Sequence, residues 1–194
     1  MKLRNFLFIG IGVAAMGLTL RRKPGEREVR LGAIEDPEAA QFYRRMSSLP
    51  HFRLINWAVA RRATKGGIQG KALDVGCGPG NLVIEMARQA PGLTVTGIDP
   101  SREMVGIATG NAQRSGLASR VSFTEGASEA IPLPDASFDL VVSTLSLHHW
   151  PAPVEGLREM VRVLKPGGRL LIMDFRRDLA VLPWFFLSFV QHFV

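Results

Sequence analysis

The sequence predicts a doubly wound α/β fold, a parallel sheet with helices on both faces, and three observations carry it. Between residues 71 and 175, five short apolar runs alternate with helical patterns. One run, Phe138-Asp139-Leu140-Val141-Val142-Ser143, is almost continuously apolar, as a strand covered on both faces requires. A glycine-rich turn, Gly76-Cys77-Gly78-Pro79-Gly80, separates the first run from the first helical pattern. Sheets of this class bind ligands at the carboxyl ends of their strands, where that turn falls. At 194 residues there is room for one such domain.

The elements follow in order. Residues 5–20 carry no charged side chain and are bracketed by Lys2 and Arg4 on one side and Arg21-Arg22-Lys23 on the other. At about 1.5 Å per residue this run falls just short of the ~30 Å hydrocarbon core, so three readings stand: signal peptide, membrane anchor, or buried helix. The basic triplet that follows favours an apolar N-terminal helix over residues 1–22 that anchors the domain on the cytoplasmic side of a membrane. Residues 23–69 read as a polar linker around Pro24-Gly25, then two cap helices broken near Ser47-Ser48-Leu49-Pro50 and ended by Gly66-Gly67.

The domain itself spans residues 70–178. Its strands are expected at 72–75, 93–98, 121–123, 138–143 and 169–175, with helices from Leu82, from the N-capping Ser101, and through Val154, Leu157, Met160 and Val161. Gly167 is the expected left-handed stop of that last helix. Residues 179–194 hold Trp184, Phe185, Phe186, Phe189 and Phe193 and are expected to form an apolar C-terminal helix.

Charge and cysteine content exclude several function classes. The net charge of +7 is carried mainly by residues 1–30, which hold +5, while the rest of the chain holds only +2. A near-neutral body lacks the basic groove of a nucleic-acid partner, whereas a basic arm beside an apolar run suits an anionic membrane surface. The single cysteine, Cys77, excludes an intramolecular disulfide and leaves a thiolate metal site short of ligands, so no metal is expected.

The glycine turn is not a dinucleotide fingerprint. Its spacing is Gly76-x-Gly78-x-Gly80, with Asn at position 81 and Asp74 two residues before the first glycine. A carboxylate there suits a ligand bearing an ammonium group and repels a pyrophosphate.

With four further segments, the turn resembles the class I S-adenosylmethionine-dependent methyltransferases, in the subgroup of small-molecule enzymes related to quinone C-methyltransferases. Ala72-Leu73-Asp74-Val75-Gly76-Cys77-Gly78-Pro79-Gly80-Asn81-Leu82 matches the family's first motif. Ile98-Asp99-Pro100-Ser101 with Met104 matches the end of strand two, and 131–139 (IPLPDASFD) the next motif. Leu147-His148-His149-Trp150 and 162–168 (RVLKPGG) complete the series. The resemblance covers residues 71–175 and implies a Rossmann-like sheet, apparently without the usual last two strands.

It also implies a cofactor, S-adenosyl-L-methionine, and the residues that hold it. Asp74 with Gly76, Cys77, Gly78 and Gly80 would hold the methionine moiety. Asp99 and Pro100 would serve the ribose, Met104 the adenine edge, and Ala127, Ser128 and Ser143 would complete the site. Asp99 has a competing local role as a helix cap ahead of Ser101, and Met104 as a plain core residue. One position departs from the pattern: the family often has Asp where this chain has Ala127.

Methyl transfer needs a base only when the acceptor loses a proton, and His148 and His149 are the candidates. Glu129, Asp135 and Asp139 read as loop carboxylates. The apolar ends point to a small hydrophobic or lipid-like acceptor. A binding or regulatory protein without turnover is the alternative.

Overall fold

The computed structural model describes residues 36–175 and 187–193. The expected helix over 1–22 and most of the linker lie outside them. Two helices come first, α1 (Pro37–Ser47) and α2 (Pro50–Ala63). Asp36 caps α1 by accepting from the backbone of Glu38 and Ala39, and Pro37 and Pro50 each open a helix where no amide donor is needed. The break predicted near Pro50 falls at Ser48 and Leu49.

The sheet then alternates with helices: β1 (Gly70–Val75), α3 (Asn81–Gln89), β2 (Leu93–Asp99), α4 (Arg102–Arg114), β3 (Val121–Glu125), β4 (Phe138–Thr144), a short 3-10 turn at Leu147–His149, α5 (Pro153–Val163), β5 (Leu164–Phe175) and β6 (Leu187–Phe193). Strand order is β3-β2-β1-β4-β5-β6, with β1 to β5 parallel and β6 antiparallel to β5. The chain winds outward from β1 to β3 and then returns to place β4 beside β1. The crevice at that reversal is where a doubly wound sheet binds its ligand.

Alternation along each strand divides the core into two layers. Ala72, Leu140, Val142, Leu171 and Met173 face α2 and α3. Leu73, Val141, Leu170 and Ile172 face α5 together with Trp150 and Ile131. Each fully buried Leu or Met contributes about 1.5–3 kcal/mol, so both layers are strongly held.

Two expectations are corrected. Residues 187–193 are a strand, not part of an apolar helix, and the sheet therefore carries one antiparallel strand beyond the five parallel ones. Aromatic and β-branched residues favour strand where β5 would otherwise leave a row of unpaired backbone groups at the edge. Second, α5 stops at Val163 with Leu164 already extended, so Gly167 (φ +77°) shapes the first turn of β5 rather than capping the helix. Between β3 and β4 the chain is a loop, where Glu129 and Asp135 read as loop carboxylates.

That loop is clasped to α5. Arg162 donates to the carbonyls of Ile131 (2.9 Å) and Leu133 (3.0 Å), and Glu159 accepts from the Ile131 amide at 2.9 Å. Hydrogen bonds from Arg162 hold the Glu159 carboxyl below its usual range. Asp139 is likewise structural: burial would raise its pKa, but Lys165 and the Lys71 amide outweigh it and lower it. Among the described residues, no helix is long and apolar enough to cross a membrane.

Candidate functional site

A cavity of about 580 Å3 opens at the carboxyl ends of β1, β2 and β4, roofed by α1. That volume is in the range of small-molecule sites, about 300–1,000 Å3. Its floor is the turn after β1. Gly76 has φ +76°, and a Cβ there would stand 2.0 Å from Ser146 Oγ; Gly80 has φ +77°, and a Cβ there would meet the Phe123 ring at 2.7 Å. Both positions need the left-handed backbone and the missing side chain at once. Asn111 donates to the Pro79 carbonyl at 2.7 Å, tying the turn to α4. Asn81 donates to Ser47 at the end of α1 (3.2 Å to Oγ), which explains a polar side chain where a dinucleotide fingerprint has glycine.

Two carboxylates flank the turn. Asp99 ends β2 and lines the cavity; its Oδ2 accepts from the Gly78 amide at 2.8 Å and its Oδ1 from the Ser101 amide at 3.0 Å. It thus plays the local capping role and faces the ligand space as well, with acceptor capacity left on each oxygen. Burial raises its pKa, and those two amides pull it partly back. Asp74 is fully buried at the end of β1, and its Oδ1 has no hydrogen-bond partner. Burial first and the Asp99 charge second push its pKa up to about 8. An orphaned buried carboxyl of this kind is costly to ionise unless a cationic group satisfies it.

The expected site residues divide accordingly. Gly76, Gly78, Asp99, Pro100, Met104, Ala127, Ser128 and His149 line the cavity. Met104 is also core, only 2% exposed. Asp74, Cys77, Gly80, Ser143 and His148 do not line it. Cys77 is buried against Gly97, whose added Cβ would lie 2.8 Å from Sγ, and burial pushes its thiol pKa well up. Ser143 is buried with its Oγ 3.5 Å from that of Ser146.

His148 makes the other notable contact. Its Nδ1 lies 2.7 Å from Asp174 Oδ1, and its amide donates to Asp174 Oδ2 at 3.0 Å. Asp174 is nearly buried at the end of β5. A carboxylate on Nδ1 and on the backbone amide at once fixes the orientation of the His148 ring. The His148 and His149 ring centroids are 3.9 Å apart.

Several wall residues carried no role in the sequence. Tyr43 of α1, Leu145, Ser146 and Trp150 all line the cavity. Ser146 Oγ accepts from Trp150 Nε1 at 2.8 Å and donates to the Val75 carbonyl at 3.3 Å, pinning this wall to the first turn. Trp150 was visible within Leu147-His148-His149-Trp150, and Asp174 at the end of an apolar strand. Nothing near Tyr43 in the sequence marks it, because its place depends on how α1 packs.

S-adenosyl-L-methionine fits these residues. Its ammonium group suits the orphaned Asp74 carboxyl, its ribose hydroxyls suit Asp99, and its positive sulfur suits a cavity with Tyr43 and Trp150 in its wall.

Comparison with known proteins agrees in kind. A family model described as a methyltransferase domain matches residues 73–172. The chain is 36% identical over 131 residues to the ubiquinone/menaquinone biosynthesis C-methyltransferase UbiE of Geobacter sulfurreducens, covering 63% of this chain and 51% of that protein. It is 43% identical over 105 residues to the 27-O-demethylrifamycin SV methyltransferase of Amycolatopsis mediterranei, covering 54% of this chain and 38% of that one. Among solved structures, a Methanococcus maripaludis protein described as a candidate S-adenosyl-L-methionine-dependent methyltransferase superposes with a TM-score of 0.68 at 30% identity. That match covers 77% of this chain and 68% of that one. The chain spans about half the length, or less, of these curated relatives.

Proposed function

Because this chain belongs to the methyltransferase domain family, we propose that it transfers a methyl group from S-adenosyl-L-methionine to a small hydrophobic acceptor. The observation that carries the reading is the pairing of an orphaned buried Asp74 with a cavity-lining Asp99 across one glycine turn. When bound, the cofactor supplies a methyl group on a positively charged sulfur, open to an electron-rich acceptor atom. Gly76 and Gly78 bring bare backbone to the methionine moiety, Asp74 takes its ammonium group, and Asp99 accepts from the ribose. Positioning of this kind supplies much of the rate.

Where the acceptor must lose a proton, His149 meets it at the cavity wall. His148, held in orientation by Asp174, packs against it. The relatives named above methylate a quinone precursor on carbon and a rifamycin on oxygen, by their names. We take a hydroxylated aromatic, the class of a quinone precursor, as the acceptor to test first in this chain. We place the domain on the cytoplasmic side of a membrane, on the strength of the uncharged run 5–20 and the basic triplet after it.

Calorimetric titration of S-adenosyl-L-methionine into the detergent-purified chain tests the reading, with Asp99→Ala as control. Micromolar binding that falls about a hundredfold or more in the control is expected, since two charge-assisted hydrogen bonds are removed. A folded chain that does not bind overturns the proposal. Binding without methyl transfer to any hydroxylated aromatic or quinol acceptor supports the alternative, a regulatory protein that keeps the cofactor.

A further inference from the structure

We propose that the outward faces of α1 and α2 form a docking surface for an anionic lipid bilayer. Of the eight large hydrophobic side chains exposed among the described residues, six lie on α1, α2 or the turn between them: Tyr43 in the cavity wall, and Phe42, Met46, Leu49, Leu54 and Trp57 outside it. Phe42 is 64% exposed and Leu54 56%. Isolated exposed apolar residues need no explanation, but this concentration on one pair of helices does.

Helical spacing puts Arg53, Leu54, Trp57, Ala58, Arg61 and Arg62 on the outward face of α2, while Val59, Ala60 and Ala63 are buried in the layer shared with α3. The helix contains no Asp or Glu. The Arg61 guanidinium lies over the Trp57 ring, 5.4 Å from its centroid. Among the described residues, no carboxylate pairs with Arg45, Arg53, Arg61 or Arg62. The outer helices elsewhere differ: α3 pairs Arg88 with Glu85 and α5 pairs Arg158 with Glu155, as solvated faces do. Leucine and tryptophan framed by unpaired arginines is the composition of a helix lying in a membrane interface.

Charge selects the occupant. The segment before α1 carries +5 over residues 1–30, so laying it on this face would stack like charges. An anionic lipid surface complements both the face and that arm. The geometry also links docking to the site: Asp36, Ala39 and Tyr43 of α1 and its cap line the cavity, while Phe42 and Met46 of the same helix are exposed. A lipid-soluble acceptor leaving the bilayer thus reaches the cavity along α1. This last step rests on the proposed function, whereas the docking does not.

The test uses the full chain bearing Leu54→Cys labelled with an environment-sensitive fluorophore, since Cys77 is buried and escapes the label. A control chain carries the label at Arg158→Cys on α5, on the opposite face of the sheet. Vesicles containing phosphatidylserine should raise and blue-shift emission at position 54 several-fold. Pure phosphatidylcholine should not, and position 158 should stay unchanged with either. Adding Arg53→Ala and Arg62→Ala should raise the lipid needed roughly thirtyfold. Silence at position 54 while the chain sediments with vesicles overturns the proposal, because the arm alone then binds. Equal response at both positions, or to both lipids, overturns it too, as does a response only to an added acidic protein. Cofactor affinity is measured on the same labelled chains: lost vesicle response with intact cofactor binding sinks the docking surface alone, and the reverse sinks only the proposed function.

Discussion

The two walls of the cavity are built in different ways. The cofactor wall comes from two consecutive strand–helix turns, and most of its contacts are backbone: Gly76 and Gly78 offer bare chain, and Asp99 is fixed by two amides. The opposite wall is assembled from Tyr43 on α1, Leu145, Ser146, His149 and Trp150 after β4, and behind them Asp174 at the end of β5. Their strain differs as well. On the cofactor wall the left-handed positions are glycines and cost little. On the acceptor wall Leu145 holds φ +54°, which costs roughly 1–2 kcal/mol and is kept by its amide bond to the Met173 carbonyl at 2.8 Å. One wall is a local backbone device, and the other is a tertiary one that stores strain where the proposed function puts the acceptor.

If the walls are separable, the largest effect comes from breaking the acceptor wall alone. His148→Ala and Asp174→Asn should each lower the rate of methyl transfer to a hydroxylated acceptor about a hundredfold. Cofactor affinity, read by calorimetry, should stay within a factor of about two, because neither side chain lines the turn that follows β1. His148 and Asp174 both act as positioning residues behind His149, so their loss should appear in kcat rather than KM. A parallel loss of cofactor affinity in either variant would show that the walls form one unit.

The cofactor wall has its own signature in pH. With its pKa near 8, Asp74 is mostly protonated at neutral pH in the free protein. Binding an ammonium group requires the ionised form, so affinity should rise as pH approaches 8, by up to about tenfold per unit. Above that, the cofactor's own amino group begins to lose its proton, at roughly 7.7–8.0, and affinity should fall again. For stability without cofactor the sign is opposite. A carboxyl whose folded pKa is raised contributes most below its unfolded pKa of about 4, and that contribution is lost as pH rises through about 8. Asp74→Asn should flatten both dependences, measured by calorimetry and by melting temperature across pH 5–9 (about two units either side of neutrality). An unchanged slope in the variant would assign the titration to another group.

The same contrast explains what was legible in the sequence. The alternation of strands and helices and the glycine turn were readable because each depends on neighbours within a few residues, and the family resemblance singled out Asp74, Asp99 and Met104. The fate of residues 187–193 was not, because their apolar content fits a helix or a strand, and the open edge of β5 decided between them. Gly167 was misplaced because the same glycine shape serves a helix stop or a strand's first turn. Tyr43 and Ser146 acquire their places only when α1 and the β4 turn pack against the first turn. His148 was found and Asp174 was not, since a pair separated by a helix and a strand leaves no local pattern.

The smallest expected effect probes Ala127, the position that departs from the pattern implied by the family resemblance. Ala127 lines the cavity within the loop after β3, bridged to Ala130 and fixed through Gly126, whose amide donates to the Asp99 carbonyl at 3.1 Å. The neighbouring Ser128 hydroxyl is already engaged, donating to Glu129 Oε2 at 2.9 Å. An aspartate at 127 therefore adds an acceptor on rigid backbone, facing the space assigned to adenine. One added hydrogen bond is worth about 0.5–1.5 kcal/mol, so Ala127→Asp should tighten cofactor binding roughly two- to tenfold. Glu129 also lines the cavity, and its carboxylate competes for the same amino group while repelling a second negative charge. Titrating Ala127→Asp and Glu129→Gln side by side separates the two arrangements. Tighter binding in the first with no change in the second means that backbone alone now faces the adenine amino group. No gain in the first with a loss in the second means that Glu129 has taken over the contact, and the departure at Ala127 is then a relocation of one hydrogen bond by two residues along the same loop.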